Sequence, residues 1–172
     1  MEKHTKKLSL PTHYVCSYDS PLGSLLLESD GEALVGLWFG EKRYFPNAVK
    51  AEKELPVFRE TKEWLNLYFQ GREPDFMPKL RLSGTEFRME IWQMLMQIPY
   101  GKTVTYGELA KAVAKKRKIK SMSAQAVGGA VGHNPISILV PCHRVMGVNH
   151  NLVGYGGGLH NKIALLQLEK AL

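Results

Sequence analysis

The sequence contains little cysteine and no long apolar run. Its only cysteines among 172 residues, Cys16 and Cys142, are too far apart for a metal-binding spacing, so we expect free thiols. His4, His13 and Cys16 lack a fourth partner for a metal site, so none is predicted. Nothing approaches the roughly 18 apolar residues of a membrane span. The first seven residues are polar rather than signal-like, so we expect a cytoplasmic protein without a membrane partner.

Acidic residues are scarce in the second half of the chain. Up to Ser83, 12 Lys and Arg residues face 12 Asp and Glu residues, whereas from Gly84 onward the numbers are 11 and 4. The formal net charge of +7 therefore belongs to the second half. A concentrated positive field attracts polyanions such as nucleic acid. A solvated lysine-rich loop at Lys115–Lys120 would carry the same charge, so charge alone leaves both interpretations open.

Turn residues and apolar patterns predict an α+β chain in two parts. The N-terminal part, residues 1–83, is expected to hold a small antiparallel three-stranded sheet, a helix and a linker. The predicted elements are strands at His13–Ser20, Gly23–Ser29 and Ala33–Phe39, a helix at Pro56–Gln70 and a linker at Gly71–Gly84. This part carries no chemical motif, so we expect it to support the rest of the chain.

The C-terminal part, residues 84–172, is predicted to be mainly helical. Thr105-Tyr-Gly-Glu108 is a capping box that opens one helix, and Ser123 can cap a second short helix at Ala124–Val131. Gly128-Gly129 costs this second helix about 1 kcal/mol per glycine relative to alanine, which close approach to another surface would offset. Two short helices, the second one slim, predict a winged-helix-like helix-turn-helix that fits a groove.

Cys142 lies between a proline and a His-Arg pair. The apolar run Ile138–Val140 predicts a short buried strand that brings Cys142 to a sheet edge. His143 and Arg144 are expected to lower the pKa of the thiol from about 8.5. Consecutive side chains of an extended segment point to opposite faces, so a contact between Cys142 and His143 needs a turn or a bridging water. A small buried apolar cysteine is the alternative.

Five motifs of the second half occur in a fixed order over roughly residues 85–172. They are Tyr106, Ala126-Val-Gly-Gly129, Asn134-Pro135, Ile138-Leu-Val-Pro-Cys-His-Arg-Val145, and Gly154-Tyr155 with Gly157-Gly158. Together they closely resemble the O6-alkylguanine-DNA alkyltransferases, also called methylated-DNA–protein-cysteine methyltransferases. The N-terminal half resembles this family only in layout.

The resemblance implies DNA repair by direct reversal of damage. A damaged guanine is flipped out of duplex DNA, and Cys142 takes the alkyl group from O6 in one in-line displacement. The resulting thioether has no leaving group that water can remove. Each molecule would therefore act once, as a single-turnover methyltransferase without a metal or organic cofactor.

The resemblance also implies catalytic roles. Cys142 is the nucleophile, His143 takes its proton through a water, and Glu169 orients and charges the imidazole. Tyr106 gives its hydroxyl to a ring nitrogen of guanine. Asn134 belongs to the hinge between the recognition helix and the active-site strand. A solvated helix end for Glu169, a surface tyrosine and a plain Asn-Pro turn are the alternatives.

Double-stranded DNA is the partner that the resemblance implies, with the protein expected to be a monomer. The predicted DNA- and base-binding residues are Ser123, Ala124, Gln125, Ala126, Gly128, Arg144, Val145, Tyr155, Gly156 and Lys162. Tyr155 and its glycines fit a loop that closes over the base. Gln125 stands where the family usually has an arginine that fills the space left by the flipped base. Weaker duplex binding is therefore expected, balanced by the basic segment.

Two functions of other classes remain open. A cysteine hydrolase would use Cys142, His143 and Glu169 on an acyl substrate, with repeated turnover and with oxyanion donors that the sequence does not identify. A DNA-binding regulator or sensor would recognise alkylated DNA without repairing it. The reactive residue at position 142 argues against the sensor.

Overall fold

The structure, a computed structural model, describes residues 12–40 and 48–172. Its first elements are strands β1 (His13–Ser20), β2 (Gly23–Ser29), β3 (Leu34–Phe39) and β4 (Ala48–Lys50) and helix α1 (Pro56–Phe69). The remaining elements are α2 (Glu86–Leu95), β5 (Val104–Thr105), α3 (Tyr106–Arg117), α4 (Ala124–Gly132), a 3₁₀ turn at Cys142–Arg144, β6 (Val145–Met146), a 3₁₀ turn at Val148–His150 and α5 (Leu159–Leu168). The predicted α+β class, with an N-terminal sheet and a helical C-terminal part, is confirmed.

The N-terminal sheet has the strand order β3-β2-β1-β4, with one strand more than predicted. β1, β2 and β3 form the predicted antiparallel meander. β4 adds three residues that pair in parallel with β1. A segment of this length is too short to show the alternation that reveals a strand in sequence.

Helix α1 packs on the sheet through one face. Its buried residues are Val57, Phe58, Thr61, Trp64, Leu65 and Tyr68. Pro56 begins the helix, where a missing N–H removes no helical hydrogen bond. Gly71, with φ +76°, follows the helix and donates its N–H to the Tyr68 carbonyl at 2.9 Å. This glycine stop places Tyr68 in the last turn of the helix, next to the C-terminal part.

The outer edge of β3 joins the two parts of the chain. Leu34 forms a backbone bridge with Leu80, which follows α1. Farther along the edge, the N–H of Leu37 donates to the Pro135 carbonyl, and the N–H of Ser137 donates to the Leu37 carbonyl, both at 3.0 Å. The segment that leads into the Pro-Cys-His-Arg motif is therefore held by the N-terminal sheet.

Helices α3 and α4 form the predicted helix-turn-helix. The capping box is present, with hydrogen bonds of 3.1 and 2.7 Å between Thr105 and Glu108. Ser123 caps α4 by accepting from the N–H of Ala126 at 3.2 Å. Lys115–Arg117 form the last turn of α3 rather than part of a loop, and their charge favours the carboxyl end of a helix. Within the described residues, the strands of this part are β5 and β6, which pair in parallel.

The strand predicted at Ile138–Val140 is wrong. This segment is a turn in which Ile138 has a positive φ of 71°. The Asn134 side chain closes the turn, accepting from the N–H of Ile136 at 3.0 Å and donating to the Val140 carbonyl at 2.8 Å. All three apolar residues are buried. A short apolar run signals burial, but it does not distinguish a strand from a buried turn.

One hydrophobic core runs through both parts of the chain. It includes Leu37 of the sheet, Tyr68 of α1, Trp92 of α2 and Val140 beside the 3₁₀ turn at Cys142–Arg144. The Trp92 indole N–H donates to the Ala130 carbonyl at 2.9 Å, which fixes α4 against α2. In the part of the chain that the structure describes, no helix is long and apolar enough to cross a membrane.

Candidate active site

Cys142 faces a cavity of about 240 Å³ between α3, α4 and the loop before α5. The cavity is lined by Tyr106, Gly128, Val131, Gly132, Asn134, Ser137, Cys142, Gly154, Tyr155 and Gly156. Pockets for drug-sized ligands begin at about 300 Å³, so this cavity suits a smaller molecule such as a single flat ring system. Six predicted site residues thus lie around one cavity. Its other four lining residues are not among the predicted site residues: Val131, Gly132, Ser137 and Gly154.

Helix α4 presents a nearly bare face beside the cavity. A Cβ atom added at Gly128 would lie 3.8 Å from the Tyr106 ring, an ordinary contact. At Gly129 and Gly132 it would meet no atom of the described residues within 4 Å. The predicted DNA-contacting residues at 123–126 are exposed on the first turn of the same helix. A partner surface can therefore approach the backbone of α4 closely.

Burial raises the pKa of the Cys142 thiol above its ordinary value. The side chain is 9% exposed, and the amide of Asn134 and the charge of Lys162 offset burial only in part. The lowered pKa expected from His143 and Arg144 is wrong, because desolvation of the thiolate outweighs the neighbouring positive charge. Cys142 therefore rests as a neutral thiol, and its attack requires a base that removes the proton.

His143 is fully buried next to Cys142 on the 3₁₀ turn. Its Nε2 lies 3.2 Å from Oε1 of Glu169, so Nε2 carries the hydrogen when this carboxyl group is ionised. Nδ1 is buried and has no hydrogen-bond partner among the described residues. Burial lowers the pKa of His143, and the bond to Glu169 offsets this only in part. A neutral ring of this tautomer can accept a proton at Nδ1.

Arg144 turns into the protein, which contradicts the predicted contact with DNA. Its Nε donates to both carboxylate oxygens of Glu169 at 3.1 Å, and Nη2 donates to Oε1 at 2.5 Å. Nη1 donates to the Ile98 carbonyl at 2.7 Å. All three guanidinium nitrogens thus bond inside the protein, and the residue is 8% exposed, so Arg144 is not presented to a phosphate or a base.

Glu169 follows α5 and is 3% exposed, so it is not a solvated helix end. Burial opposes its ionisation, but hydrogen bonds from His143 and Arg144 prevail and lower its pKa to about 2. The carboxylate therefore orients the imidazole. Burial, with a smaller contribution from the charge of Arg144, lowers the pKa of His143 more than Glu169 raises it, so the ring is neutral in the resting protein.

Lys162 and Val145 lie behind the cavity rather than on its wall. Nζ of Lys162 donates to the carbonyls of Val145, Val153 and Gly154 at 2.5, 3.0 and 3.4 Å. Burial lowers the pKa of Lys162, and the Val145 side chain belongs to the hydrophobic core. These contacts tie β6 to the loop that contains Gly154, so Lys162 holds the loop over the cavity.

Two tyrosines frame the cavity. Tyr106 is the first residue of α3. Burial, and to a smaller extent the charge of the Cys142 sulfur, raise its pKa. The hydroxyl therefore keeps its proton and can donate a hydrogen bond. The Tyr155 ring packs edge-to-face against Phe39 with centroids 6.0 Å apart. Its hydroxyl is buried beside Ser137. The N-terminal sheet thus supports the loop through Phe39.

A contact from the N-terminal part was not predicted. The Tyr68 hydroxyl donates to Oε1 of Glu169 at 3.1 Å and lies 3.5 Å from Nε2 of His143. The apolar pattern of α1 places Tyr68 on the buried face. No sequence signal reports where its hydroxyl goes, since its partners lie 75 and 101 residues away.

Metal ligands are not grouped in the described segments, 12–40 and 48–172, which contain no cluster of three or more His, Cys, Asp or Glu side chains that could hold a metal ion. Nδ1 of His13 is instead 2.5 Å from Oε1 of Glu28. Cys16 is half-buried, and burial raises its pKa to about 11. His4 lies outside the described residues.

Two family models match nearly all of this architecture. Residues 86–171 match the model described as 6-O-methylguanine DNA methyltransferase, DNA binding domain, and residues 14–82 match the model described as 6-O-methylguanine DNA methyltransferase, ribonuclease-like domain. The chain belongs to the 6-O-methylguanine DNA methyltransferase family. The second match extends the likeness to the N-terminal part, where the sequence motifs supported only a similar layout.

Individual members of the 6-O-methylguanine DNA methyltransferase family are similar over most of their length. A methylated-DNA–protein-cysteine methyltransferase of Mycobacterium leprae is 45% identical over 154 residues, 90% of each chain. One of Haemophilus influenzae is 45% identical over 159 residues, 91% of this chain and 86% of its own. The crystal structure of Mycobacterium tuberculosis OGT in complex with DNA superposes with a TM-score of 0.79 at 41% identity, covering 92% of this chain and 93% of that one.

Proposed function

We propose that this chain repairs DNA by moving a methyl or larger alkyl group from O6 of a guanine in duplex DNA to Cys142. The observation that carries the proposal is the Cys142 sulfur, which faces a cavity suited to one ring system beside the bare face of α4. A stacked base cannot reach a buried sulfur, so the damaged nucleotide must flip out of the duplex, at a cost of a few kcal/mol.

DNA binds along α4 and the basic end of α3. The exposed first turn of α4 has no bulky apolar side chain, which lets the helix enter a groove. Lys115 and Lys116 lie at the carboxyl end of α3, and Lys118 and Lys120 follow it, all exposed. Each phosphate that these side chains neutralise releases counterions, so duplex affinity decreases with salt.

Proton transfer prepares the sulfur. Nδ1 of His143 takes the Cys142 proton through a bridging water, because Nε2 is held by Glu169. The sulfur then forms a bond to the alkyl carbon while the bond from that carbon to O6 breaks. The electron pair stays on the guanine. The Tyr106 hydroxyl donates a hydrogen bond to a ring nitrogen and so stabilises this negative charge, which the proton taken up by His143 balances.

The product is a thioether, which water does not cleave. Each molecule therefore transfers one group and is consumed, and the chemistry needs no metal or organic cofactor. We assign residues 84–172 to DNA binding and alkyl transfer and residues 1–83 to support of the site. The protein acts as a monomer in the cytoplasm, where thiols stay reduced.

Mass spectrometry after incubation with duplex DNA containing O6-methylguanine tests this function. We expect one added methyl group per molecule, mapped to the peptide with Cys142 and lost in Cys142→Ser. Cys16→Ser is the matched control and should be methylated like the unchanged protein, since Cys16 lies in the N-terminal sheet. Binding without a mass gain would identify a sensor, and repeated turnover of an ester or amide would identify a hydrolase.

A further inference from the structure

Tyr68 of α1 is held rigidly in the core. Its ring is fully buried and stacks on Trp64, with centroids 5.2 Å apart and an interplanar angle of 11°. Phe69 and Tyr100 contact the ring edge-on at 5.5 and 6.2 Å. The packing fixes the ring, so the hydroxyl has one place to point.

The Tyr68 hydroxyl points toward the buried pair of Glu169 and His143. Oε1 of Glu169 accepts from the Tyr68 hydroxyl at 3.1 Å, from Nη2 of Arg144 at 2.5 Å and from Nε2 of His143 at 3.2 Å. Burial, and then the charge of Glu169, raise the pKa of Tyr68 well above its ordinary value. The hydroxyl therefore keeps its proton at neutral pH and acts as a donor.

We propose that Tyr68 is a positioning residue for alkyl transfer, through which the N-terminal part orients Glu169 and thereby His143. This inference rests on the proposed function, because it gives the N-terminal part a role in the same reaction. The Tyr68 hydroxyl and Nε2 of His143 both donate to Oε1 of Glu169. The bond from Tyr68 fixes the position of the carboxylate and weakens Oε1 as an acceptor for the imidazole N–H.

The charged and titratable groups around His143 come from four parts of the chain. They are Tyr68 from α1, Cys142 and Arg144 from the same 3₁₀ turn, Tyr155 from the loop, and Lys162 and Glu169 from α5 and its end. Arg144 and Lys162 disfavour a charged ring, whereas Glu169 favours it. Removal of the Tyr68 hydroxyl strengthens Glu169 as an acceptor, so the pKa of His143 should rise.

Tyr68→Phe in the full-length protein tests this inference, with Tyr18→Phe as the matched control. Tyr18 is also an N-terminal tyrosine with one hydrogen bond, but its hydroxyl donates to the exposed side chain of Asn66 at 2.6 Å. Both variants lose one hydroxyl and keep the ring. The measurements are the single-turnover rate of methyl transfer at saturating duplex against pH, the duplex affinity, and the pH titration of the His143 ring nitrogens by ¹⁵N NMR.

We expect Tyr68→Phe to slow methyl transfer about three- to tenfold, the worth of one buried hydrogen bond, with duplex affinity unchanged. As the pH is lowered, the transfer rate of Tyr68→Phe should begin to fall at a higher pH than that of the control, because His143 becomes protonated earlier. The His143 midpoint in the NMR titration should also shift to higher pH. A slower rate with the acid side and the titration unmoved would indicate packing alone and would overturn the inference. Equality with Tyr18→Phe would overturn it as well.

Tyr68→3-fluorotyrosine keeps the test decisive if Tyr68→Phe does not fold. Fluorine makes the hydroxyl a stronger donor, so the pKa of His143 should fall rather than rise, and an unmoved titration would contradict the inference. The unchanged protein separates the two proposals. If it accepts no methyl group, the proposed function fails, whereas normal transfer with both variants at the control rate overturns only the role of Tyr68.

Discussion

At the scale of single residues, Glu169 decides how the site is charged. Desolvation of a carboxylate costs several kcal/mol and is offset only by well-placed partners. Donors from Tyr68, His143 and Arg144 converge on this group, and its pKa of about 2 keeps it ionised. The His143 ring stays neutral beside it because burial lowers the pKa of the ring more than Glu169 raises it, with Arg144 adding to the lowering. The orientation of the proposed base, His143, and the stability of the fold therefore depend on the same ion pair.

Arg144→Met should destabilise the protein by about 3–5 kcal/mol, because it leaves the Glu169 charge buried with one fewer partner. The free energy of unfolding in urea measures this change. Arg117→Met is the matched control, since Arg117 bonds to Glu90 at the surface and its loss should change the stability little. Equal losses in the two variants would show that the buried pair adds nothing beyond a surface pair.

Gln125→Arg should tighten duplex binding about three- to tenfold, because a guanidinium adds charge and stacking area to the exposed face of α4. Titration by fluorescence anisotropy at one salt concentration measures the affinity. Unchanged or weaker binding would contradict the prediction. Gln125→Lys separates the two causes, since it adds the charge without the planar group.

At the scale of elements, the glycines of α4 lower the stability of the helix and leave its backbone accessible to a partner surface. Gly128, Gly129 and Gly132 each lower its intrinsic helix propensity, and Ser123 restores one hydrogen bond at its amino end. Two of the three glycines touch no side chain that would explain them as packing within the described molecule. Within the described residues, these glycines leave the face of α4 open to the approach of a partner surface.

Gly129→Leu should therefore leave the free protein folded, with a stability raised by up to about 1 kcal/mol from helix propensity. The same side chain stands on the bare face, so duplex affinity should fall at least tenfold. Urea unfolding and anisotropy measure the two effects. Gly129→Ala is the control with the same propensity gain and a small side chain, and an equal loss of affinity there would contradict a steric cause.

Local signals predicted the elements that local chemistry decides. The capping box at Thr105 and the cap at Ser123 are read correctly because a few neighbouring atoms determine them. Cys142, Tyr106 and Tyr155 were placed at one site only through a family resemblance. The inward orientation of Arg144 and the hydrogen bond of the Tyr68 hydroxyl were not predicted. Each depends on Glu169, which only the complete fold brings close to them.

At the scale of the whole molecule, the two parts share their core and a sheet edge. Leu37 pairs through its backbone with the segment at 135–137, and Tyr68 reaches the charged pair at the other end of the chain. Neither part can lose its fold without exposing apolar surface or unpaired backbone of the other. Such mutual dependence favours one cooperative unit.

Urea unfolding should accordingly give a single transition. Trp64 reports on α1 and Trp92 on α2, so variants that keep one of these tryptophans and lack the other and Trp38 of β3 follow each part separately. We expect equal midpoints and equal slopes by fluorescence and far-UV circular dichroism. Two separated midpoints would show that the parts unfold independently.

The backbone pairing along β3 also has a consequence for protein quality control. Segments at 79–81 and 135–137 both hydrogen-bond to this strand, and the second of them is synthesised long after the sheet itself. A chain truncated soon after α1 would leave β3 as an apolar strand with unsatisfied N–H and C=O groups, which recruits other strands. Incomplete translation products of this protein should therefore aggregate, whereas the finished chain covers the strand with its own active-site turn.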